Sequence, residues 1–447
     1  MRGQAMISLK YKSAYIGYLP RNIYITSIIC RCIANRLRAR FHHTQSTTHN
    51  SQPTSNPLRP TMADHSFLIE YLSQPRQVDD ETRFRLISAC QDVIESLESP
   101  LVTARKHSFL MLDQAVTRAA IQLNIFSLLV ERGHSCTTQQ LVDSIGPSCD
   151  VAVLSRLLRY LVSPLRLIKE EGPDLWSVTQ PGRVFADPRF KASVVMYYDA
   201  CGPAFFELPK WLCTTPLDRA ATSFEAALPD EDGFFPWLQK DDARLQAFHT
   251  WMDVLKTHQF DSLDSIDFNR WMSDDISDDE VAFVDIGGGK GNQCVAVRKQ
   301  RGPRPGRVID QDRSEVVQSA QASLEEEKVE VMAHDFFAEQ PIKGARVYHF
   351  RQVFHDWPDE DCVKILERTR EAMSSSSTLL IDEVVVPETG AHWMVTQRDL
   401  SMMALFNSKE RTESQWEELL SQAHLRVVGV HCYDKKVLAC VIEAKIG

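Results

Sequence analysis

The sequence predicts an α/β fold, in which a mainly helical, winged-helix-like region precedes a mixed, mainly parallel sheet that is wrapped by helices and closed by an antiparallel C-terminal hairpin. Three observations carry this. Short apolar runs alternate with amphipathic stretches from about residue 280 onward. A helix, turn, helix and hairpin pattern occupies residues 109–178. A glycine-rich loop, "VDIGGGKGN" at 284–292, follows directly on the first apolar run of the alternating part.

The chain has 447 residues, enough for two or three domains and a sizeable core. With 43% hydrophobic and 25% charged residues it reads as an ordinary soluble globular protein. No apolar run reaches the ~18–20 residues of a membrane helix; the nearest, "YITSIICRCIANRL", is broken by Arg31. Residues 1–62 hold nine Lys or Arg and no acid, which leaves 41 basic and 60 acidic residues in the rest. A body this acidic is a poor nucleic-acid binder, because phosphate contacts need clustered cations. The eleven cysteines include no CxxC pair and no metal-ligand spacing, so they read as reduced, intracellular thiols. The close pair Cys30 and Cys32 reads as chance rather than a ligand set.

Residues 1–62 are basic and then low in complexity ("HHTQSTTHNSQPTSNP"). They read as a mitochondrial targeting segment or as an upstream extension with the functional start at Met62. Either way disorder and dispensability are expected. A cytoplasmic location is expected, or a mitochondrial one if the extension is native.

The helical part begins with "FLMLDQAVTRAAIQLNIFSLLVERG" (109–133), whose apolar spacing predicts one helix ending at Gly133. Ser and Thr caps precede a short helix in "SCTTQQLVDSIG" (135–146), and "DVAVLSRLLRYLVSP" (150–164) is an amphipathic helix stopped by Pro164. "LRLIKEEGPDLWSV" (165–178) predicts two strands around Gly172–Pro173. This outline usually reads DNA; the net acidity favours a packing or dimerisation module. Aromatic-rich segments follow at 202–212 and 233–252, suited to core or to the wall of a pocket for an aromatic substrate.

In the sheet part, strands are expected at 281–286, 307–312, 329–335, 345–354 and 377–386, with helices at 312–327 and 358–373 and a closing hairpin within 425–444 turning at Asp434–Lys435. Gly287, Gly289 and Gly291 let the backbone turn sharply and approach a ligand closely. A dinucleotide fingerprint needs glycine at 292, where Asn292 stands. The spacing, with Asp285 just ahead, suits a ligand without a pyrophosphate. Asp312 ends the second strand, where an open α/β sheet places a carboxylate for ribose hydroxyls. Asp335 and Phe336 end the third, an acceptor for an adenine amine and an apolar face for its ring. His355 ends the fourth, and Glu383 lies on the fifth. Glu410 precedes Thr412, a cap for a helix over 413–423. One histidine with two acids forms a general-base set: an imidazole accepts a proton near neutrality, and a carboxylate on its other nitrogen fixes the tautomer. The acids after Pro358 suit a helix N-terminus.

The motifs "VDIGGGKG", "QD", "HDFF", "RQVFHDWPDEDCVKIL", "LLIDEVVVP" and "NSKERTESQWEELL" resemble, in order, those of metal-independent, S-adenosylmethionine-dependent O-methyltransferases. The chain is most similar to fungal relatives of the plant caffeate/flavonoid type, over about 64–447. The resemblance implies a Rossmann-like class I methyltransferase domain and no metal. It divides the chain into the extension 1–62, a winged-helix dimerisation region 64–200 that makes a homodimer, a connector and acceptor-pocket wall 201–275, and a cofactor domain 276–447. It implies His355 as the base flanked by Glu383 and Glu410. S-adenosylmethionine would be held by Asp285, Gly287, Gly289, Gly291, Asp312, Asp335 and Phe336. Arg351 stands where the family has a cofactor-contacting lysine, keeping the charge but not the geometry. Candidate acceptor contacts are Phe248, Trp251, Met252, Met402, Met403 and Phe406. The acceptor would be a small hydroxylated molecule, aromatic or polyketide-like. The loop "FNS" before "KERT" lacks the family's usual glycines. Competing readings are a nicotinamide-dependent dehydrogenase, opposed by the glycine spacing, a winged-helix regulator, opposed by the charge, and an inactive scaffold, opposed by the intact base set.

Overall fold

The computed structural model describes residues 78–214, 221–258, 262–272, 275–434 and 437–447. The expectations for residues 1–62, and Lys435 of the expected hairpin turn, lie outside the described residues. The chain forms two compact units, Met1–Phe109 and Leu110–Gly447. Among the described residues, no helix is long and apolar enough to cross a membrane.

The first unit contributes helix Asp80–Leu97, capped by the Asp79 carboxylate on Thr82 N, and the start of helix Pro100–Gln122. Leu97 and Leu101 are 67% and 77% exposed, unlike the apolar residues of a self-contained core.

In the second unit, the single helix expected over 109–133 is two. The second, Ile125–Arg132, starts after Asn124, which takes a left-handed conformation (φ 55°). Asn tolerates that region better than most residues, so an unbroken apolar pattern hides a break. Gly133 ends the helix as expected, also left-handed. Helices Thr138–Ile145 and Val151–Val162 follow, the first closed by a capping box of Thr137 and Gln140. The wing is β1 (Ile168–Gly172) antiparallel to β2 (Leu175–Val178). Trp176 anchors it: its backbone pairs with Cys136, and its indole donates to the Thr138 hydroxyl at 2.9 Å.

The sheet contains β3 (Val281–Ile286), β4 (Arg307–Asp312), β5 (Glu330–Ala333), β6 (Val347–Arg351), β7 (Thr378–Val386), β8 (Arg411–Thr412), β9 (Leu425–Asp434) and β10 (Ala439–Ile446). Its order is β5-β4-β3-β6-β7-β10-β9, with β8 on β7. β3 to β7 are parallel, and the closing hairpin is antiparallel. β5 and β6 are shorter than the sequence pattern suggests. The order reverses at β3, where β4 lies on one side and β6 on the other. Such a switch point opens a crevice at the carboxyl edge.

One expectation fails at the hairpin. Cys432 and Cys440 form a disulfide, so the cysteines are not all reduced thiols. They are register partners on β9 and β10. Their proximity comes from strand pairing, which a search for ligand spacing does not detect.

Candidate active site

The crevice is built on the glycine loop. Gly287, Gly289 and Gly291 all have positive φ (74°, 65° and 71°), the region that side chains resist. The amides of Gly287 and Gly288 donate to the Gln311 carbonyl, which ties the loop to β4. A Cβ on Gly287 would stand 3.0 Å from Val353 Cγ2 and 3.9 Å from Phe336. The loop therefore leaves a space, bounded by Phe336, that only glycine keeps open. Asp312 accepts from Gly289 N (2.8 Å) and Arg313 N (2.7 Å). An ionised carboxylate has about four acceptor sites, so ribose hydroxyls still find lone pairs there. Asp335 is exposed and accepts from Phe337 N. These residues fit a nucleoside with a short polar tail.

Asp285 sits differently from the expectation. It is 1% exposed, and its Oδ1 lies 2.7 Å from His349 Nδ1. It supports the loop from below. Asp310 is its register partner on β4, fully buried, with neither oxygen bonded. Burial and the charges of Asp285 and Asp312 push Asp310 up to about 8. With Cys294, these acids bring donor atoms within 4.8 Å of one another, a cluster that the sequence did not suggest.

His355 lies four residues beyond β6, in a 3-10 turn Phe354–Asp356, rather than at the strand end. Gln352 makes the turn possible by adopting a left-handed conformation (φ 52°). The amides of Val353, Phe354 and His355 then converge on Glu383 Oε1 at 2.9, 3.0 and 3.4 Å. This explains an acid inside a strand buried from Thr378 to Val385, since a buried carboxylate needs donors. Neighbouring Asp382, on the other face of β7, accepts from Ser262 and Tyr433 and lies 3.4 Å from Arg351 Nε.

Glu410 reaches the site because β8 pairs with β7, Arg411 opposite Val385. Its Oε1 accepts from His355 Nδ1 at 3.0 Å and from Arg398 Nε at 2.6 Å. The carboxylate is thus far from the exposed charge its neighbours suggest. Asp356 Oδ1 stands 3.6 Å from His355 Nε2. Arg411, fully buried, donates to the carbonyls of Phe354 and Trp357 and to Asp359, which locks the turn onto the next helix. That helix is Asp359–Ala372, with Pro358 at the cap position and three acids in its first turn. Asn407, left-handed, ends helix Trp393–Phe406, a C-terminal position that glycine commonly takes.

The electrostatics follow from this crowding. Burial pushes Glu383 up to about 7. Burial also raises Glu410, but Arg398 and His355 overcome it and hold Glu410 down at about 2. Burial lowers His355, yet Glu383, Asp356 and Glu410 together raise it to about 9. Since the Glu410 side occupies Nδ1, the nitrogen available to a ligand is Nε2.

Of the acceptor candidates, Phe248, Trp251, Met252 and Phe406 pack in one cluster with Phe234 and Trp237. Met402 and Met403 are half-buried on helix Trp393–Phe406. Arg398, Met402 and Phe406 recur at four-residue spacing, so one face of that helix runs from Glu410 to the aromatic cluster. Tyr197 lies beside Trp251 within a π-turn, Met196–Ala200. The sequence reasoning missed Arg398, Arg411 and Tyr197. Only the i, i+4 spacing to Met402 could have drawn attention to Arg398.

Comparison with known proteins agrees with this geometry. Residues 276–426 match the O-methyltransferase domain family, and residues 106–188 match the O-methyltransferase dimerisation domain. The O-methyltransferase apf6 of Gibberella fujikuroi is 51% identical over 332 residues, which cover 74% of this chain and 95% of apf6. The solved LepI complex with SAM is 31% identical with a TM-score of 0.73, covering 86% of this chain and 98% of LepI. A structure described as a pericyclic reaction enzyme is 30% identical with a TM-score of 0.74, covering 86% of this chain and 99% of that one. Neither a dehydrogenase nor a DNA-binding regulator is among these relatives. The chain belongs to the S-adenosylmethionine-dependent O-methyltransferase family.

Proposed function

We propose that His355 is the general base that removes the proton from a phenolic hydroxyl of a small aromatic or polyketide-like metabolite as that oxygen takes the methyl group of S-adenosylmethionine. The observation that carries this is the His355–Glu410 contact at 3.0 Å in a buried site on the carboxyl edge of the sheet. When bound, S-adenosylmethionine supplies an activated methyl on a sulfonium. The chain's residues then have two tasks. Phe248, Trp251, Met252, Met402, Met403 and Phe406 hold the acceptor ring so that its oxygen lies in line with the methyl. His355 Nε2 takes the proton, since a phenol near pKa ~10 is mostly protonated at neutrality. Glu410 holds the tautomer and stabilises the imidazolium. Glu383 holds the turn. Gly287, Gly289, Gly291, Asp312, Asp335, Phe336 and Arg351 take the cofactor, and Asp285 supports their loop.

The similarity to a pericyclic reaction enzyme raises a competing chemistry. A pericyclic rearrangement moves electrons around a ring without net proton transfer, so it has no need of a base. A buried imidazole on a carboxylate is equipment for proton removal. The deciding experiment incubates the protein with S-adenosylmethionine and a panel of phenolic metabolites. Mass detection of a one-methylene gain supports the proposal, and conversion of an acceptor without mass change opposes it.

We also infer a homodimer through the helical region. The helices from 80 to 122 expose Leu86, Ile87, Leu97, Leu101, Phe109 and Met111, more apolar surface than an isolated soluble face carries. Light scattering at micromolar concentration should give twice the chain mass; a single-chain mass would refute this.

A further inference from the structure

We infer that cofactor binding at this site is coupled to one proton: a cationic sulfonium entering beside His355 expels the His355 proton, and the neutral thioether product does not. This rests on the reading of His355 as the base.

The charges around His355 do not balance. Three carboxylates face one imidazole: Asp356 from its own turn at 3.6 Å, Glu383 from β7 at 4.0 Å, and Glu410 from the segment before β8 at 3.0 Å. Arg398, from helix Trp393–Phe406, is the guanidinium bonded to this group, through Glu410. Asp399 adds a further acid behind, accepting from Glu410 N. Nearby Arg411 is engaged with Asp359, and Arg351 lies against Asp382. Above the Glu383 midpoint of about 7, with His355 neutral and its carboxylates ionised, negative charge exceeds positive in a site largely shut off from water. One added positive charge relieves this. In the cofactor-free protein that charge is a proton on His355, which titrates at about 9 because the three carboxylates outweigh burial.

A protonated imidazole cannot accept a phenolic proton. The base is therefore disarmed at neutrality unless another cation takes the place of its proton. The reaction's geometry brings one. The acceptor oxygen must lie ~3 Å from Nε2 and ~3 Å from the methyl carbon, so the sulfonium comes to about 7 Å from the imidazole. A unit charge at about 7 Å, at an effective dielectric of about 20, shifts a proton equilibrium by about 50-fold. This moves the His355 midpoint from about 9 toward neutrality, where a base works best. During transfer the oxygen–carbon bond forms and the carbon–sulfur pair stays on sulfur, which becomes neutral. The acceptor's proton is then on His355, and the three carboxylates stabilise it. The product complex thus has the charge state of the free enzyme, and the next cationic donor can again replace the proton.

The sign of the pH dependence follows. The cationic donor binds the neutral-imidazole form better, so its affinity rises with pH up to about 9 and is flat above. Calorimetry of the full chain in two buffers of different ionisation enthalpy counts the protons. At pH 8, S-adenosylmethionine should release about 0.7 proton more from the wild type than from His355→Gln, and S-adenosylhomocysteine should show no such excess. The α-amino group common to both ligands titrates nearby, and the subtraction between wild type and variant cancels it. Equal release from wild type and variant, or the same excess with the neutral ligand, overturns the inference. If the variant does not fold, proton NMR of the wild type replaces the subtraction. An imidazole resonance titrating near 9 should fall toward neutrality with the sulfonium ligand and stay with the thioether; a midpoint unmoved by either ligand overturns the inference. Turnover separates the two layers. A His355→Gln protein that still methylates removes the base reading, whereas one that is inactive but releases protons like the wild type removes the charge coupling alone.

Discussion

Arg398→Met is the substitution that most sharply separates an oriented base from a merely buried histidine. The guanidinium Nε and the imidazole Nδ1 lie 2.6 and 3.0 Å from the same Glu410 oxygen, Oε1. At most about 6 Å therefore separates cation from base, which at an effective dielectric of about 20 corresponds to about 3 kcal/mol of repulsion against the imidazolium. Arg398 keeps some exposure, 22% of its side chain, so one to two pH units of effect is a fair range after screening. Removing it leaves three carboxylates around His355 with no guanidinium bonded to Glu410. The imidazolium becomes more stable, and the acid limb of the kcat profile should move to higher pH by about one to two units. Near neutrality kcat should fall by about 10- to 100-fold, and it should recover once the pH passes the new midpoint. The assay is kcat against pH at saturating cofactor and acceptor, for wild type and variant. A uniform loss at every pH, with the limb unmoved, would mean that Arg398 acts by packing or acceptor contact and that the electrostatic reasoning is wrong.

Other outcomes follow from the same geometry. Asp312→Ala should raise the KM for S-adenosylmethionine and leave kcat nearly unchanged, because ribose contacts are similar in ground and transition states; a kcat defect at unchanged KM would remove Asp312 from the cofactor site. Asp310 titrates at about 8 when folded, well above an ordinary carboxylate. The folded state therefore holds a proton that the unfolded state loses, and Asp310 costs stability as pH rises from about 4 to about 8. Asp310→Asn should match the wild type at low pH and exceed it by ~2 kcal/mol or more at pH 8, seen as diverging Tm curves; parallel curves would show that Asp310 is not protonated in the fold.

Much of the architecture was legible because it rests on periodicity. β3 and β4 begin and end where the apolar runs do, since a parallel strand covered on both faces reads as continuous apolar sequence. The crevice proposed for the cofactor was legible for the same reason: its glycine loop follows one strand and Asp312 ends the next. The base set needed more. Glu383 and Glu410 were nominated with His355 as a general-base set, which the motif resemblance also implied, but nothing in the spacing shows that β8 pairs with β7 and buries Glu410. Arg398 was missed because a lone arginine on an amphipathic helix ordinarily faces water. The break at Asn124, the left-handed Gln352 and the Cys432–Cys440 pair are set by tertiary packing and strand register, which leave no local signature.

The measurement that bears most directly on the central claim is the turnover of His355→Gln across phenols of graded acidity. Glutamine can keep a hydrogen bond but cannot take a proton, so the variant should fold and bind cofactor yet lose at least ~10²-fold in kcat on an unactivated phenol at neutral pH. The deficit should shrink as the phenol becomes more acidic or the pH rises, because the phenolate then forms unaided. Near-wild-type turnover of an unactivated phenol at neutral pH, or a deficit independent of phenol acidity, would contradict the assignment of His355 as the base.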